Sequence, residues 1–413
     1  MIYTLYAVYD WTSYIAEFYN GTEKFGETEP VIYGQYFTEL SEIPERLEDE
    51  ASLPLIERIA FKGWTDKKLD NPIISDESQV KKLIVNVNSY QSTENRKFYA
   101  VFIKENVLEK ATDDKYFNYE KITSTAWKIS GNSNYQLSGK ITLPATHKDE
   151  NGQEYPITHI GNLTSAATAN HIFFINGSKY TTVMDKAFNI NSSKLQGIYF
   201  PDTINYIGNN AFEGMIALEH LSEKAINQEY GYLSNNITYI GKNAFAGTIL
   251  SSGKFRINEL PLSLTTLGEK AFWNGGDNIW FTVLPKDLEE IPSGCFSNLK
   301  NISITKFGKA ANEPGKGLKR IGSSAFSSNN DTTGVNNTVD KIYFYESVLS
   351  DKESIGTDAF LAYGKDPTYV GNTSLGIPIY QSAVDIYIQD NIPTWWDSNK
   401  FGFYNIPQEF TAE

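Results

Sequence analysis

The side chains able to do covalent or metal chemistry are few and isolated. His147, His159, His171 and His220 are scattered, and no His-Glu-x-x-His pair exists to hold a hydrolytic zinc. Cys295 is the single cysteine, so an intramolecular disulfide and a cysteine metal cluster are both impossible. No partner base is spaced near Cys295, and its position is filled by Ala in related phrases of the chain. A small packed core thiol is therefore expected rather than a nucleophile. The 50 acidic side chains include no recognisable acid/base pair. The chain has no Gly-x-Ser-x-Gly elbow, phosphate-binding loop or dinucleotide fingerprint. The oxygen-rich stretches Asn329–Gly334 and Asn274–Asn278 do not match the calcium-loop pattern and are read as solvated turns. The sequence thus predicts no catalytic residue, metal or cofactor. An enzyme such as a glycan hydrolase would need a carboxylate pair on one face, which no motif supplies.

What is abundant is aromatic surface. Aromatic residues make up 14% of 413 residues, with Tyr 26, Phe 24 and Trp 7. Their chemistry is non-covalent recognition, because large rings with few rotors bury much area at little entropic cost. Aromatic and β-branched chains also favour strands, and a mainly β fold is expected.

The elements that position these rings come from a six-residue repeat. Its copies begin at Val183-Met-Asp-Lys-Ala-Phe188, Ile207-Gly-Asn-Asn-Ala-Phe212 and Ile240-Gly-Lys-Asn-Ala-Phe245. They continue with Leu267-Gly-Glu-Lys-Ala-Phe272, Ile291-Pro-Ser-Gly-Cys-Phe296, Ile321-Gly-Ser-Ser-Ala-Phe326 and Ile355-Gly-Thr-Asp-Ala-Phe360. The phenylalanines are spaced 24, 33, 27, 24, 30 and 34 residues apart. A fixed phrase with unequal spacing predicts a solenoid, with constant core and variable loops. The aliphatic residue and Phe should form inward ladders, the Ala or Cys should lie where coils crowd, and the Gly should permit a sharp turn.

A strand is expected between phrases. Ile198-Tyr199-Phe200, Ile342-Tyr343-Phe344 and Ile386-Tyr387-Ile388 align position for position, with Ile302-Ser303-Ile304 and Ile172-Phe173-Phe174 following more loosely. Alternation puts Tyr199, Tyr343, Tyr387 and Ser303, and by the looser match Phe173, on the outer side of a parallel sheet. Two middle coils leave alternatives open: Glu259 and Val283 face outward in one register, Arg256 and Trp280 in the other. Tyr199, Trp280, Ser303, Tyr343 and Tyr387 form the candidate partner-binding face. The same row could instead be a stabilising cross-strand ladder. Trp395-Trp396 is read as a cap over the open core rather than a binding edge.

With these residues in view, the second part of the chain resembles the BspA-like, Treponema-type leucine-rich repeats. Leu195-Gln-Gly-Ile198-Tyr-Phe200-Pro201, followed by Ile207-Gly208 and Ala211-Phe212, carries the resemblance, as do Gly139–Pro144 and Tyr155–Gly161 at its start. It spans about residues 116–410 and implies a leucine-rich-repeat solenoid with a parallel β-sheet face. The first part, residues 1–104, is similar to the small β-grasp-like repeats of internalin-type bacterial surface proteins, through Phe61-Lys-Gly-Trp64 and Phe98-Tyr-Ala-Val-Phe102. Its stretches 46–57 and 76–94 are longer and more charged than that family shows. Leu5–Tyr9 echoes the closing phrase, either as the first strand of the module or as an orphan opening strand that could pair elsewhere, and residues 105–115 read as a linker.

The formal net charge of −14 disfavours nucleic acid, and no apolar run is long enough to insert in a membrane. Both resemblances imply a non-enzymatic adhesion protein exposed outside a cell or on its surface, with a protein or surface glycan as ligand. The first basic residue is Lys24, so no secretory signal peptide is evident. That favours an alternative: a structural, decoration or host-binding protein of a phage virion, whose partners would include other virion chains.

Overall fold

A computed structural model describes residues 12–411 except 47–48, 50–52, 54–56, 108–109, 133, 136, 162, 165–170, 176–177, 183–186, 189–193, 216–217, 219, 222–232, 249–256, 258, 276–280, 300–301, 311, 329–338, 365–366 and 375–377. The orphan strand Leu5–Tyr9, both oxygen-rich loop cores, Arg256 and Trp280 lie wholly or partly outside the described residues. The chain forms two compact units. One comprises Met1–Lys110 with Asn134–Gly139, the other Ala111–Ser133 with Lys140–Glu413.

The first unit is built on β7 (Arg96–Asn106), preceded in the chain by β1 (Ser13–Tyr14), β2 (Ala16–Asn20), β3 (Glu23–Glu27), β4 (Val31–Ile32), β5 (Glu57–Thr65) and β6 (Ile73–Ile74). The sheet order is β3-β2-β7-β5, with β6 beside the far end of β7. β2 and β6 run parallel to β7, and β5 runs antiparallel to it. Strict alternation along β7 explains two cores, one on each face. Phe98, Ala100 and Phe102 pack with Phe18, Phe37 and Trp64. Val101 and Ile103 pack with Val80 of the short helix α1 (Glu77–Leu83). Asp76 caps that helix by accepting the Ser78 N–H, and Lys81 and Lys82 lie in its last turn.

The Phe61-Lys-Gly-Trp64 phrase is a bulge. Gly63 has φ +147°, the β5–β7 register shifts between Phe61 and Gly63, and a Cβ at Gly63 would meet Ile84 at 2.9 Å. β7 also runs past residue 104, into the stretch read as linker. Glu105 is buried, accepts 2.8 and 3.1 Å hydrogen bonds from Arg58, and pairs with Lys62. Burial raises the Glu105 carboxyl pKa, but Lys62 and Arg58 outweigh it and hold the group below the usual carboxylate range.

The second unit opens with the antiparallel hairpin β8 (Phe117–Thr123) and β9 (Ala126–Gly131). The strand Glu154–Ile160 then pairs parallel to β9 and starts a ladder that the phrases themselves continue. Ile129, Ile160, Ile207, Ile240 and Leu267 are in parallel register, each at most 5% exposed. The ladder stops at Leu267 and restarts at Ile291, which pairs with Ile321 and then Ile355. The sequence reading placed strands only between phrases. The structure adds a second, two-residue strand at the start of the phrases at Ile207, Ile240, Leu267, Ile291 and Ile321, and a single bridge at Ile355.

The inward Phe ladder is continuous. Phe188, Phe212, Phe245, Phe272, Phe296, Phe326, Phe360 and Phe403 stack at successive centroid distances of 5.6, 5.1, 5.3, 5.8, 5.4, 5.3 and 4.9 Å. Each Phe N–H from Phe188 to Phe326 donates to the carbonyl of the Ala or Cys one coil on, at 2.8–3.1 Å. Cys295 takes that small slot, fully buried, and burial pushes its thiol pKa up. Trp396 packs edge-on against Phe344 and Phe401 and stacks near Phe403, closing the end of this core.

The sharp turn is not at the glycine. Gly208, Gly241, Gly268, Gly322 and Gly356 are required because a Cβ would strike the preceding coil. At Gly268 it would come 2.1 Å from the Lys242 amide nitrogen, at Gly322 2.3 Å from that of Ser293. The left-handed turn lies two residues later, at Asn210, Asn243, Lys270, Gly294, Ser324 and Asp358, with φ between 52° and 63°.

Two expected coil strands are corrected. His171–Ile175, which contains Phe173, pairs antiparallel with Ser178–Thr182 in a local hairpin. It is therefore an insertion between coils rather than a rung of the parallel sheet. Ile302–Ile304 does not pair with the tyrosine strand, whose partner is Lys306–Phe307.

Candidate functional site

The between-phrase strands form a four-stranded parallel sheet near the end of the second unit, in the order Lys306–Phe307, Lys341–Phe344, Asp385–Gln389 and Gln408–Phe410. Its inner side is buried: Phe307, Ile342, Phe344, Ile386 and Ile388 line the core. The outer side carries the row Lys306, Tyr343, Tyr387 and Gln408, each beside the next in register. Tyr343 and Tyr387 are half-buried and stack at 5.0 Å with 18° between ring planes. Phe410 sets its ring nearly perpendicular to both Tyr343 and Tyr345, at 5.5 Å from each. The Gln389 side-chain oxygen accepts the Glu346 N–H at 3.1 Å.

Tyr343 and Tyr387 are thus brought together as aligned neighbours. Tyr199 and Ser303 do not join them, and Trp280 lies outside the described residues. The strand beside Tyr343 places Lys306 in the row, with Phe307 beneath, so Ser303 lies three residues earlier and does not join it. The Ser303 N–H instead donates to the Phe281 carbonyl at 2.9 Å. Tyr199 is only 8% exposed. At that exposure it is enclosed rather than presented, in a strand that takes the Leu143 N–H on its Tyr199 carbonyl at 2.9 Å and pairs onward with His220–Leu221. Glu259 and Val283, one of the two open registers, are exposed, Val283 at 71%.

Sequence reasoning missed the contribution of the last strand. Tyr404 and Ile406 are 56% and 84% exposed, and Phe410 completes the ring cluster. The signal was present in the run Phe403, Tyr404, Asn405, Ile406, Pro407, Gln408, in which exposed Tyr404, Ile406 and Gln408 alternate with buried Phe403, half-buried Asn405 and buried Pro407. The backbone edge of this strand carries Pro407, which has no N–H, and Glu409, whose carboxylate accepts the Ile392 N–H. Such an edge resists pairing with another strand.

Two of the histidines, His147 and His159, lie elsewhere and are packed against tyrosines. His159 is buried, stacks on Tyr206 at 4.6 Å, and burial pushes its pKa down to about 3, which keeps the ring neutral. His147 stacks face to face on Tyr119 at 3.7 Å, and Tyr119 donates to Asp114 at 2.7 Å. Among the described residues no group of three His, Cys, Asp or Glu could hold a metal ion, and no helix is long and apolar enough to cross a membrane.

Residues 158–230 and 223–360 match the BspA type leucine-rich repeat region, in six copies. This part of the chain is a BspA-type leucine-rich repeat region. Among solved structures, a leucine-rich repeat protein from Bacteroides ovatus is similar at 16% identity and a TM-score of 0.27, over 59% of this chain and 66% of that one. The chain therefore covers slightly less than two thirds of that protein. No curated protein matches it.

Proposed function

We propose that this protein is a non-enzymatic adhesion protein, exposed outside a cell, that binds a protein partner through the outer face around Tyr343 and Tyr387. The BspA-type repeat supports the adhesion class. The stacking geometry supports protein over glycan. Two rings packed face to face along the row turn their flat sides to each other and their edges and hydroxyls outward. A sugar needs an open flat ring face to lie on. A protein surface can use apolar edges, phenol hydroxyls and the neighbouring Lys306 and Gln408.

The first unit reads as a spacer module of β-grasp type. The supporting observation is its sheet order: second, first, fourth and third main strands, with the central pair parallel.

The reading is tested by measuring capture of immobilised extracellular proteins and of a glycan array by the wild-type chain and by a Tyr343→Ser/Tyr387→Ser variant. Protein capture that the double substitution weakens supports it. Glycan capture alone, or protein capture indifferent to the substitution, overturns it.

A further inference from the structure

One coil junction differs from its neighbours. At five junctions the second residue of the phrase is glycine, and its N–H donates to the aliphatic carbonyl of the coil before: Gly208 to Ile160, Gly241 to Ile207, Gly268 to Ile240, Gly322 to Ile291 and Gly356 to Ile321, at 2.7–2.9 Å. At the junction after Leu267 this residue is Pro292, which has no N–H to give. Proline also brings a Cβ and a ring into a slot where, one coil earlier, a Cβ would lie 2.1 Å from backbone. Both effects act in one direction: the coils cannot close on this edge as the others do.

The structure shows the result. The parallel ladder ends at Thr266–Leu267 and a separate one begins at Glu290–Ile291. The Phe272–Phe296 spacing of 5.8 Å is the widest in the Phe ladder. Phe281, fully buried, sits edge-on to both rings at 5.3 and 5.7 Å. The turn edge is intact, however. Lys270 donates to Ser293, Phe272 to Cys295 and Asn274 to Ser297, at 2.9–3.1 Å.

We propose that the solenoid has a crease at Pro292, where the turn-edge hydrogen bonds hold the coils without support from the aliphatic edge and so break more readily than at the glycine junctions, letting the coils before Gly275 and those after Phe281 part as two blocks. The Tyr343–Tyr387 face lies wholly on the later block.

Amide hydrogen exchange on the full chain tests this. The amides of Lys270, Phe272 and Asn274 bond across the crease. Those of Asn243, Phe245 and Gly247, and of Ser324, Phe326 and Ser328, bond across glycine junctions in the same pattern. The first set should show protection factors lower by about tenfold, the scale of one missing backbone hydrogen bond. Pro292→Gly, which supplies the donor and removes the Cβ, should bring that set level with the others. Pro292→Ala, which supplies the donor but keeps the Cβ, should recover less. Equal protection at all three junctions in the wild-type chain overturns the proposal without any variant. So does a folded Pro292→Gly chain whose crease amides exchange as before.

Discussion

The two aromatic stacks of the repeat unit use the same geometry for different ends. The Phe ladder runs through eight rings, each at most 4% exposed, with a backbone hydrogen bond crossing the coils at nearly every step. The Tyr343–Tyr387 stack has similar spacing, 5.0 Å, but stands half-exposed on the outside of a four-stranded sheet. The difference shows that stacking distance alone says nothing about role. Burial decides whether a ring is needed for folding, because only a ring with no alternative contact with water leaves a void when removed.

That contrast can be broken first at its strongest point. Phe245→Ala removes a fully buried ring held between Phe212 and Phe272, and should cost about 3–5 kcal/mol in denaturant unfolding. Next is the coil spacing that aligns both stacks. Gly241→Ala puts a Cβ 2.6 Å from the Asn209 amide nitrogen and should cost about 1–3 kcal/mol or more. Gly214→Ala is the comparison, since nothing lies within 4 Å of its Cβ site and only its φ of +69° opposes the change. If the two alanines cost the same, close approach of coils is not why the phrase needs glycine.

The outer stack should respond less. Tyr343→Ser with Tyr387→Ser should shift unfolding by about 1–2 kcal/mol, the scale of one exposed aromatic pair with its neighbours, while abolishing most partner capture. A melting-temperature loss matching that of Phe245→Ala, with capture intact, would make the outer stack a second structural ladder. The smallest effect is expected at the left-handed turn. Ser324→Gly, at φ 53°, should stabilise by up to about 1 kcal/mol, since the coil at Ile291 already uses Gly294 there.

Much of this was legible in the sequence because the phrase is so regular. Seven Phe positions predicted the ladder, and the match of Ile342-Tyr343-Phe344 to Ile386-Tyr387-Ile388 appears as exact register in the sheet. Ser303 failed for a general reason. Ile302 and Ile304 are buried with half-buried Ser303 between them, as alternation predicts, but the chain pairs with the tyrosine strand at Lys306-Phe307, three residues on and on the opposite parity, a shift no local pattern encodes. Tyr199 failed because alternation gives the side of the sheet a residue faces but not whether distant parts of the chain cover that side. The turn was assigned to the glycine because glycine is the usual left-handed residue. The better clue was Asn210, Asn243 and Asp358, types that also tolerate that conformation.

Along the turn edge the hydrogen bonds between coils all point one way, each coil donating to the next, so that edge is polar like a growing filament. Such a filament would go on adding identical units from other chains. Here both ends are terminated by the chain's own residues. At the start the Ala187 carbonyl is taken by the N–H of Gly131, and at the finish the N–H groups of Asp358 and Phe360 are taken by Lys400 and Phe401. The repeat is thus a polymerisation that the sequence itself stops, with a terminator for each polarity, which lets seven copies of a self-complementary phrase exist without recruiting an eighth from a neighbour.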